Sequence, residues 1–226
     1  KGLAAFVMRG RFQALMVSVA GAGSLFFCWI SAAVLALVTL RKGAGAGAGL
    51  LAWALLPSGA LLYAYGDSGP LTMLVGTTVL AMVLRSTVSL PAAVLASIPV
   101  GAVTGLALVA FGGQYLQQIV DVFGQFLAAM EQQLSQGGEP VLLARPDTTQ
   151  VAGMMGAGTA ASSVLCLLLA RYWQAALYNP GGFGEEFRAL YYPPAVTTAL
   201  ALATIAIANL GAENRTWAKK CVLPLA

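Results

Sequence analysis

Long uncharged apolar runs alternate along this chain with short segments that hold nearly all of its charge. Phe12 to Leu40 is 29 residues without a charged side chain, interrupted only by Gly21 and Gly23. Crossing the ~30 Å hydrocarbon layer takes about 20 helical residues. The run is therefore long for one span and short for two. It predicts either one tilted helix or a hairpin of a short helix (about 12 to 22) and a second one (about 25 to 40). Leu50 to Tyr65 is too short to cross, at about 24 Å of helix rise. The preceding GAGAGAG tract must then lie inside the helix, and its glycines at a spacing of four, Gly43/Gly47 and Gly45/Gly49, predict close approach of a neighbouring helix. Asp67, with Gly66 and Gly69, marks a turn. Pro70 to Leu84 forms a further short span ended by Arg85. Thr87 to Gly112 follows, with Pro91 and Pro99 placed to kink or break it.

Gln114 to Gln136 has a different pattern. Leu116, Ile119, Val120, Phe123, Phe126, Leu127, Met130 and Leu134 recur at helical spacing, with Gln, Asp121 and Glu131 between them. This predicts an amphipathic helix whose polar face lacks Lys and Arg. Membrane-surface helices that bind anionic lipid are usually basic. A position on the outer surface, or against a partner, follows. Gln150 to Ala170 returns to the membrane pattern, with a small-residue seam at Gly153, Gly156, Ala157 and Ala160. Tyr192 to Leu210 is the last full run. The chain begins with Lys1 rather than Met and ends in an apolar run, which points to a portion of a longer chain with a further span near Trp217 to Ala226.

The predicted class is all-α: a polytopic transmembrane bundle of about six to eight membrane helices, some short or Pro-kinked, with one outer amphipathic helix, in a single membrane domain over 1–226. Composition agrees. The chain is 59% hydrophobic and 9% charged, with a mean hydropathy of +0.81, whereas soluble domains carry about 25% charged residues. A net charge of +4 without a basic stripe speaks against nucleic acid. The absence of His removes a His-based nucleophile triad and His-ligated haem, and the three Cys are too far apart to read as a zinc site. No catalytic residue, cofactor or metal is expected, and no Walker sequence is present.

Polar and aromatic chemistry concentrates in ARYWQAALYNPGGFGEEFRALYYPP, residues 170 to 194. The stretch predicts an interfacial elbow. Arg171 ends a span. Trp173 and Tyr178 sit at headgroup depth. Asn179 and Pro180 stop the helix, and Gly181 and Gly182 allow a tight turn. Phe183 and Phe187 flank a short restarted helix whose adjacent Glu185 and Glu186 point about 100° apart. The elbow is either a well-anchored loop or a docking surface for a cytoplasmic partner. Under the hairpin alternative, Lys1, Arg9, Arg11, Arg41, Lys42, Arg85, Arg171 and Arg188 fall on one side, against Arg145, Arg215, Lys219 and Lys220 on the other. The positive-inside rule then favours the hairpin and a cytoplasmic N-terminus.

The run YWQAALYNPGGFGEEFRALYYP, with the upstream SAAVLALVTLRKGAGAGAG, resembles the YybS-like family of bacterial membrane proteins. More distantly, it is similar to the substrate-capture (S) components of energy-coupling-factor transporters, in which a short helix precedes a glycine-punctuated hairpin. The resemblance implies a bacterial inner membrane location and favours the hairpin. Two functions fit. One is a solute-capture module working with a separate ATP-driven motor, in which Thr72, Thr77, Thr78, Thr87, Ser89, Ser97 and Thr104 offer polar groups to a small-molecule solute. The other is a non-catalytic structural or assembly subunit packed against other membrane proteins. A closed cavity of about 300–1,000 Å³ with converging polar groups would favour the first, and small-residue faces filled by other chains, without such a cavity, would favour the second.

Overall fold

The computed structural model describes residues 2–24, 26–135 and 143–205. Its described residues form helices and no strand: α1 (Gly2–Arg9), α2 (Arg11–Ala22), α3 (Cys28–Lys42), α4 (Ala44–Tyr65), α5 (Gly69–Thr87), α6 (Leu90–Leu95), α7 (Ser97–Phe111), α8 (Gly113–Ser135), α9 (Thr148–Tyr178) and α10 (Gly182–Arg188). These belong to one compact unit, Lys1–Arg188. The described part of the second unit, from Ala189 onward, holds an apolar helix, Pro194–Ile205. The rest of the run to Leu210, the segment near Trp217 to Ala226 and residues 136–142 lie outside the described residues.

Four helices among the described residues are long and apolar enough to cross a membrane: α4, α5, the α6–α7 pair taken as Leu90–Phe111, and α9. The chain is a multi-spanning helical membrane protein. The larger number expected from sequence counted the two halves of the first apolar run and the run from Tyr192. The first run is a hairpin, α2 and α3, whose 12 and 15 residues are each too short to cross.

Helix α3 is the centre of the bundle. Every residue from Ser31 to Leu40 is buried, because α2, α4, α5 and α9 all pack against it. A helix that is apolar on all sides needs such a sheath. Its few polar groups are provided for. Ser31 Oγ donates to the Ser18 carbonyl of α2 at 2.6 Å, and Thr39 Oγ1 donates to Leu35 within α3 at 2.7 Å. The terminal carbonyls of a helix lack intrahelical partners, and here Arg85 of α5 donates to the Leu40 carbonyl at 2.6 Å.

The prolines act where expected. Pro57 lies inside α4, and Ser58 Oγ donates to the nearby Ala54 carbonyl at 3.0 Å. Pro91 sits in the first turn of α6, where its missing N–H costs nothing. The break between α6 and α7 falls at Ala96, one turn before Pro99. Helix α9 begins with a capping box, in which Gln150 N–H donates to Asp147 Oδ1 at 2.7 Å and Asp147 N–H donates to Gln150 Oε1 at 3.2 Å. It does not end near Ala170. It runs two further turns to Tyr178, since no breaker occurs before Asn179-Pro180.

The small-residue positions differ in what they touch. Gly47 lies against Thr39, where an added Cβ would overlap the Thr39 side chain. Gly156 lies against the Gly101 carbonyl, and a Cβ on Gly101 would stand 2.8 Å from the Gly156 carbonyl and 3.0 Å from Ala160 Cβ. The backbones of α7 and α9 therefore meet directly. Gly45, Gly49 and Gly153 have open space at the Cβ position, and Ala157 is exposed. Gly45 and Gly49 lie about 200° round α4 from Gly47, so no helix among the described residues meets them, while Gly153 and Ala157 stand at the outer edge of the α9 face that carries Gly156. Gly43 has φ +106° and caps α4 rather than packing within it.

Gly47→Leu and Gly156→Leu are expected to destabilise the bundle by about 1–3 kcal/mol or more through overpacking, read as a lower melting temperature in detergent. Gly45→Leu and Gly153→Leu are expected to leave it unchanged. Equal melting of all four variants would contradict the assigned contacts.

Candidate functional site

The two ends of the bundle carry different chemistry. At one end the cations gather. The Arg41 guanidinium stacks on the Tyr178 ring, 3.7 Å from its centroid, joining the end of α3 to the end of α9. Arg85 caps α3, as described. Arg171 pairs with Glu186 through two guanidinium nitrogens, and its Nη1 donates to Gln174 Oε1 at 2.6 Å. Both members of the ion pair are about three-quarters covered, at 24% and 26% side-chain exposure.

The elbow from Arg171 onward forms as a turn of the predicted kind. Asn179 accepts from Gly182 N–H at 3.1 Å, with Pro180 and Gly181 between them. Gly181 has φ +95°, the conformation that the third residue of a type II turn demands. The turn folds α10 back along α9. Tyr172, Phe183 and Phe187 form an aromatic row, with ring centroids 6.1 Å and 5.8 Å apart. Trp173 packs on the α3-centred core, while Tyr178 and Phe187 remain half exposed. Glu186 faces Arg171, and Glu185 faces away. The elbow is thus fastened to α9; Tyr172 and Glu186 belong to the stretch read as the elbow, whereas the role of Arg41 and Gln174 in fastening it was not expected. Arg41 and Tyr178 are 137 positions apart, so no local pattern connects them.

At the opposite end, a cleft of about 950 Å³ opens between the end of α4, the start of α5, the end of α7 and the start of α8. Its mouth carries Tyr65, Ser68, Gln114, Tyr115 and Gln118, and its walls include Leu71, Thr72, Thr104, Leu108 and Phe111. Through Leu71, Thr72, Thr104 and Ala107 it adjoins an almost wholly apolar crevice of about 490 Å³ between α5 and α7. The volume of the cleft is in the range of small-molecule sites, about 300–1,000 Å³, although it is open rather than enclosed. Among the described residues, no charged side chain lines it.

The hydroxyls expected to serve a solute are mostly committed as donors. Thr72 donates to Ser68 and Gly69, Thr78 to Leu74, Thr87 to Val83, Ser97 to Val94 and Thr104 to Val100, each to a carbonyl three or four residues earlier. Ser89 is the N-cap of α6. Thr77 is buried in the bundle, away from the cleft. A committed hydroxyl keeps a free lone pair, so Thr72 and Thr104 offer acceptors to the cleft. The amides of Gln114 and Gln118 bring both donors and acceptors.

Helix α8 covers the mouth through one polar link. The Tyr115 hydroxyl donates to Asp67 Oδ1 at 3.5 Å, and the same oxygen accepts from Gly69 N–H at 2.8 Å. Gly66, at φ +71°, ends α4 and passes beneath the Tyr115 ring, where a Cβ would already touch at 3.5 Å. Burial, and secondarily the Asp67 carboxylate, hold the Tyr115 phenol above its ordinary value. Beyond Val120 the apolar side chains of α8, including Val122, Phe123 and Phe126, are exposed. This matches the amphipathic pattern read from the sequence and leaves that face uncovered by the other described residues.

Because the folded Tyr115 pKa is raised, the protonated phenol is the form that the fold favours. Its contribution is complete below the ordinary value, about 10, and is lost as pH rises through the higher folded value. Ultraviolet difference titration of wild type against Tyr115→Phe is expected to reveal one phenol ionising above that value, and Asp67→Asn should lower it. Identical titrations would refute the link. At the other end, Glu186→Gln should speed amide exchange in α10 by removing about 1 kcal/mol without unfolding the bundle, whereas Glu185→Gln should leave exchange unchanged. Protection of α10 in both variants would show that the ion pair does not fasten the elbow.

No family model, curated protein or solved structure matches this chain.

Proposed function

We propose that this membrane protein is a capture module for a small, uncharged ligand with an apolar body, taken up from the side opposite the basic end. The cleft of about 950 Å³ carries this reading. Its lining combines aromatic and aliphatic walls with hydrogen-bonding groups at the mouth, and the absence of charged lining residues disfavours an ion. Orientation follows from the cations: Arg41, Lys42, Arg85 and Arg171 converge at one end, which the positive-inside rule assigns to the cytoplasm. The cleft would then face outward in a bacterial inner membrane, covered by α8. In such a module any energy source is a separate ATPase chain, and the fastened elbow at the basic end is the surface on which it would dock. The role is one of binding rather than catalysis.

A second reading is favoured by one specific feature. A groove of about 630 Å³ between α7 and α9 is floored by Gly101, Ala102, Gly105, Gly153, Ala157 and Ala160. Small residues let a further helix approach closely, as an assembly subunit requires.

Native mass spectrometry of the protein purified from its membrane separates the two. A bound small molecule that disappears in Ala107→Trp, which fills the cleft, is the expected result. A protein partner lost in Gly153→Leu, with no small molecule bound, would replace the capture reading by assembly. A small molecule retained in full by Ala107→Trp would also overturn it.

A further inference from the structure

A second cleft, of about 770 Å³, lies at the basic end between α2, α3 and α4, far from the outer one. It is lined by Arg11 and Lys42 at its charged edge and by Ala14, Leu15, Val38, Leu50 and Trp53 deeper in. Gly45, Ala46 and Gly49 complete the wall, and the two glycines leave open space there. The cations beside it are otherwise engaged: Arg41 stacks on Tyr178, Arg85 caps α3, and Arg171 pairs with Glu186. Arg11 and Lys42 are the two that line the cleft, and no carboxylate lines it with them. Both are exposed, as is Trp53 at 56%.

We infer that this cleft binds the phosphate headgroup of an anionic phospholipid, with the headgroup on Arg11 and Lys42 and an acyl chain along Leu15, Leu50 and Trp53. Charge complementarity selects the occupant. Two cations without a counter-ion among the described residues attract a phosphate, and basic pockets between membrane helices are suited to anionic headgroups. The apolar depth distinguishes a lipid from a free phosphate ion, because Leu15, Leu50 and Trp53 give an ion nothing to bind, whereas they give an acyl chain a wall. The inference is independent of the capture function. It concerns the other end of the bundle and holds for an assembly subunit as well.

Trp53 supplies the readout. The protein is reconstituted in phosphatidylcholine bilayers containing brominated phosphatidylglycerol, or brominated phosphatidylcholine as the comparison, and the quenching lost in Trp53→Phe is assigned to Trp53. Brominated phosphatidylglycerol is expected to reach half-maximal quenching at about a thirtyfold lower mole fraction, in line with two cations acting near the membrane surface. The double variant Arg11→Gln/Lys42→Gln should remove the preference, and Arg11→Lys/Lys42→Arg should keep it. Equal quenching by the two lipids, or a preference that survives the Gln variant, overturns the inference. Loss of the preference in the presence of millimolar inorganic phosphate also overturns it, by assigning the site to a free anion. The wild-type lipid comparison and the phosphate competition decide the matter even where the Gln variant fails to fold.

Discussion

The bundle depends on the sheathing of α3. This helix has 15 residues, too few to cross a bilayer, and its apolar surface extends all the way round. Exposed to water it would be costly, and a short helix in lipid would bring its unpaired terminal groups into hydrocarbon. Both problems are solved by enclosure. Four helices cover its sides, the Arg85 guanidinium covers its last carbonyls, and Cys28 at its start lies against the Pro70 carbonyl of α5, with Sγ and O 3.6 Å apart. That last contact sets the start of α3 level with the first turn of α5, which is also where the outer cleft opens.

Around that centre, the protein brings helices together by two different means. On α3 the fit is between side chains, with alanine, valine and leucine in mutual contact. Between α7 and α9 the fit is between backbones, through Gly101, Gly105, Ala152 and Gly156. Membrane helices gain little from hydrophobic exclusion, so close packing has to hold them. Where the small residues turn inward they are used in this way. Where they turn outward, at Gly45, Gly49, Gly153 and Ala157, they leave grooves. The same residue type thus makes both the tightest contacts and the open surfaces of the molecule.

Polar groups in the bundle are mostly satisfied locally, through hydroxyls donating to carbonyls three or four residues earlier. Among the described residues, the buried hydroxyls of Ser18 and Ser163 have no hydrogen-bond partner. Ser163 Oγ lies where a Cβ on Gly76 would come within 2.7 Å, so the absence of a side chain at Gly76 makes room for it. The two ends divide the remaining chemistry between them. One collects guanidinium and aromatic groups, and the other collects amides and hydroxyls around a cleft.

Much of the architecture was legible in the sequence because it depends on spacing and length alone. The absence of charge over Phe12–Leu40 called for membrane or core, and the glycine pair near its middle allowed a hairpin. The shortness of Leu50–Tyr65 drew the GAGAGAG tract into a helix. The period of α8 declared its two faces, and Asn-Pro-Gly-Gly declared a turn, since proline and glycine restrict or free the backbone wherever they stand. Tertiary structure alone decided which face of each helix meets which neighbour. Gly47 and Gly45 are two positions apart and indistinguishable by motif, yet one touches Thr39 and the other touches nothing. Arg41 finds Tyr178, Arg85 finds Leu40, and Tyr115 finds Asp67 across 48 positions or more in two of those three cases. Such pairings depend on the rotation and depth of whole helices, which follow from the packing of the complete bundle and leave no local mark.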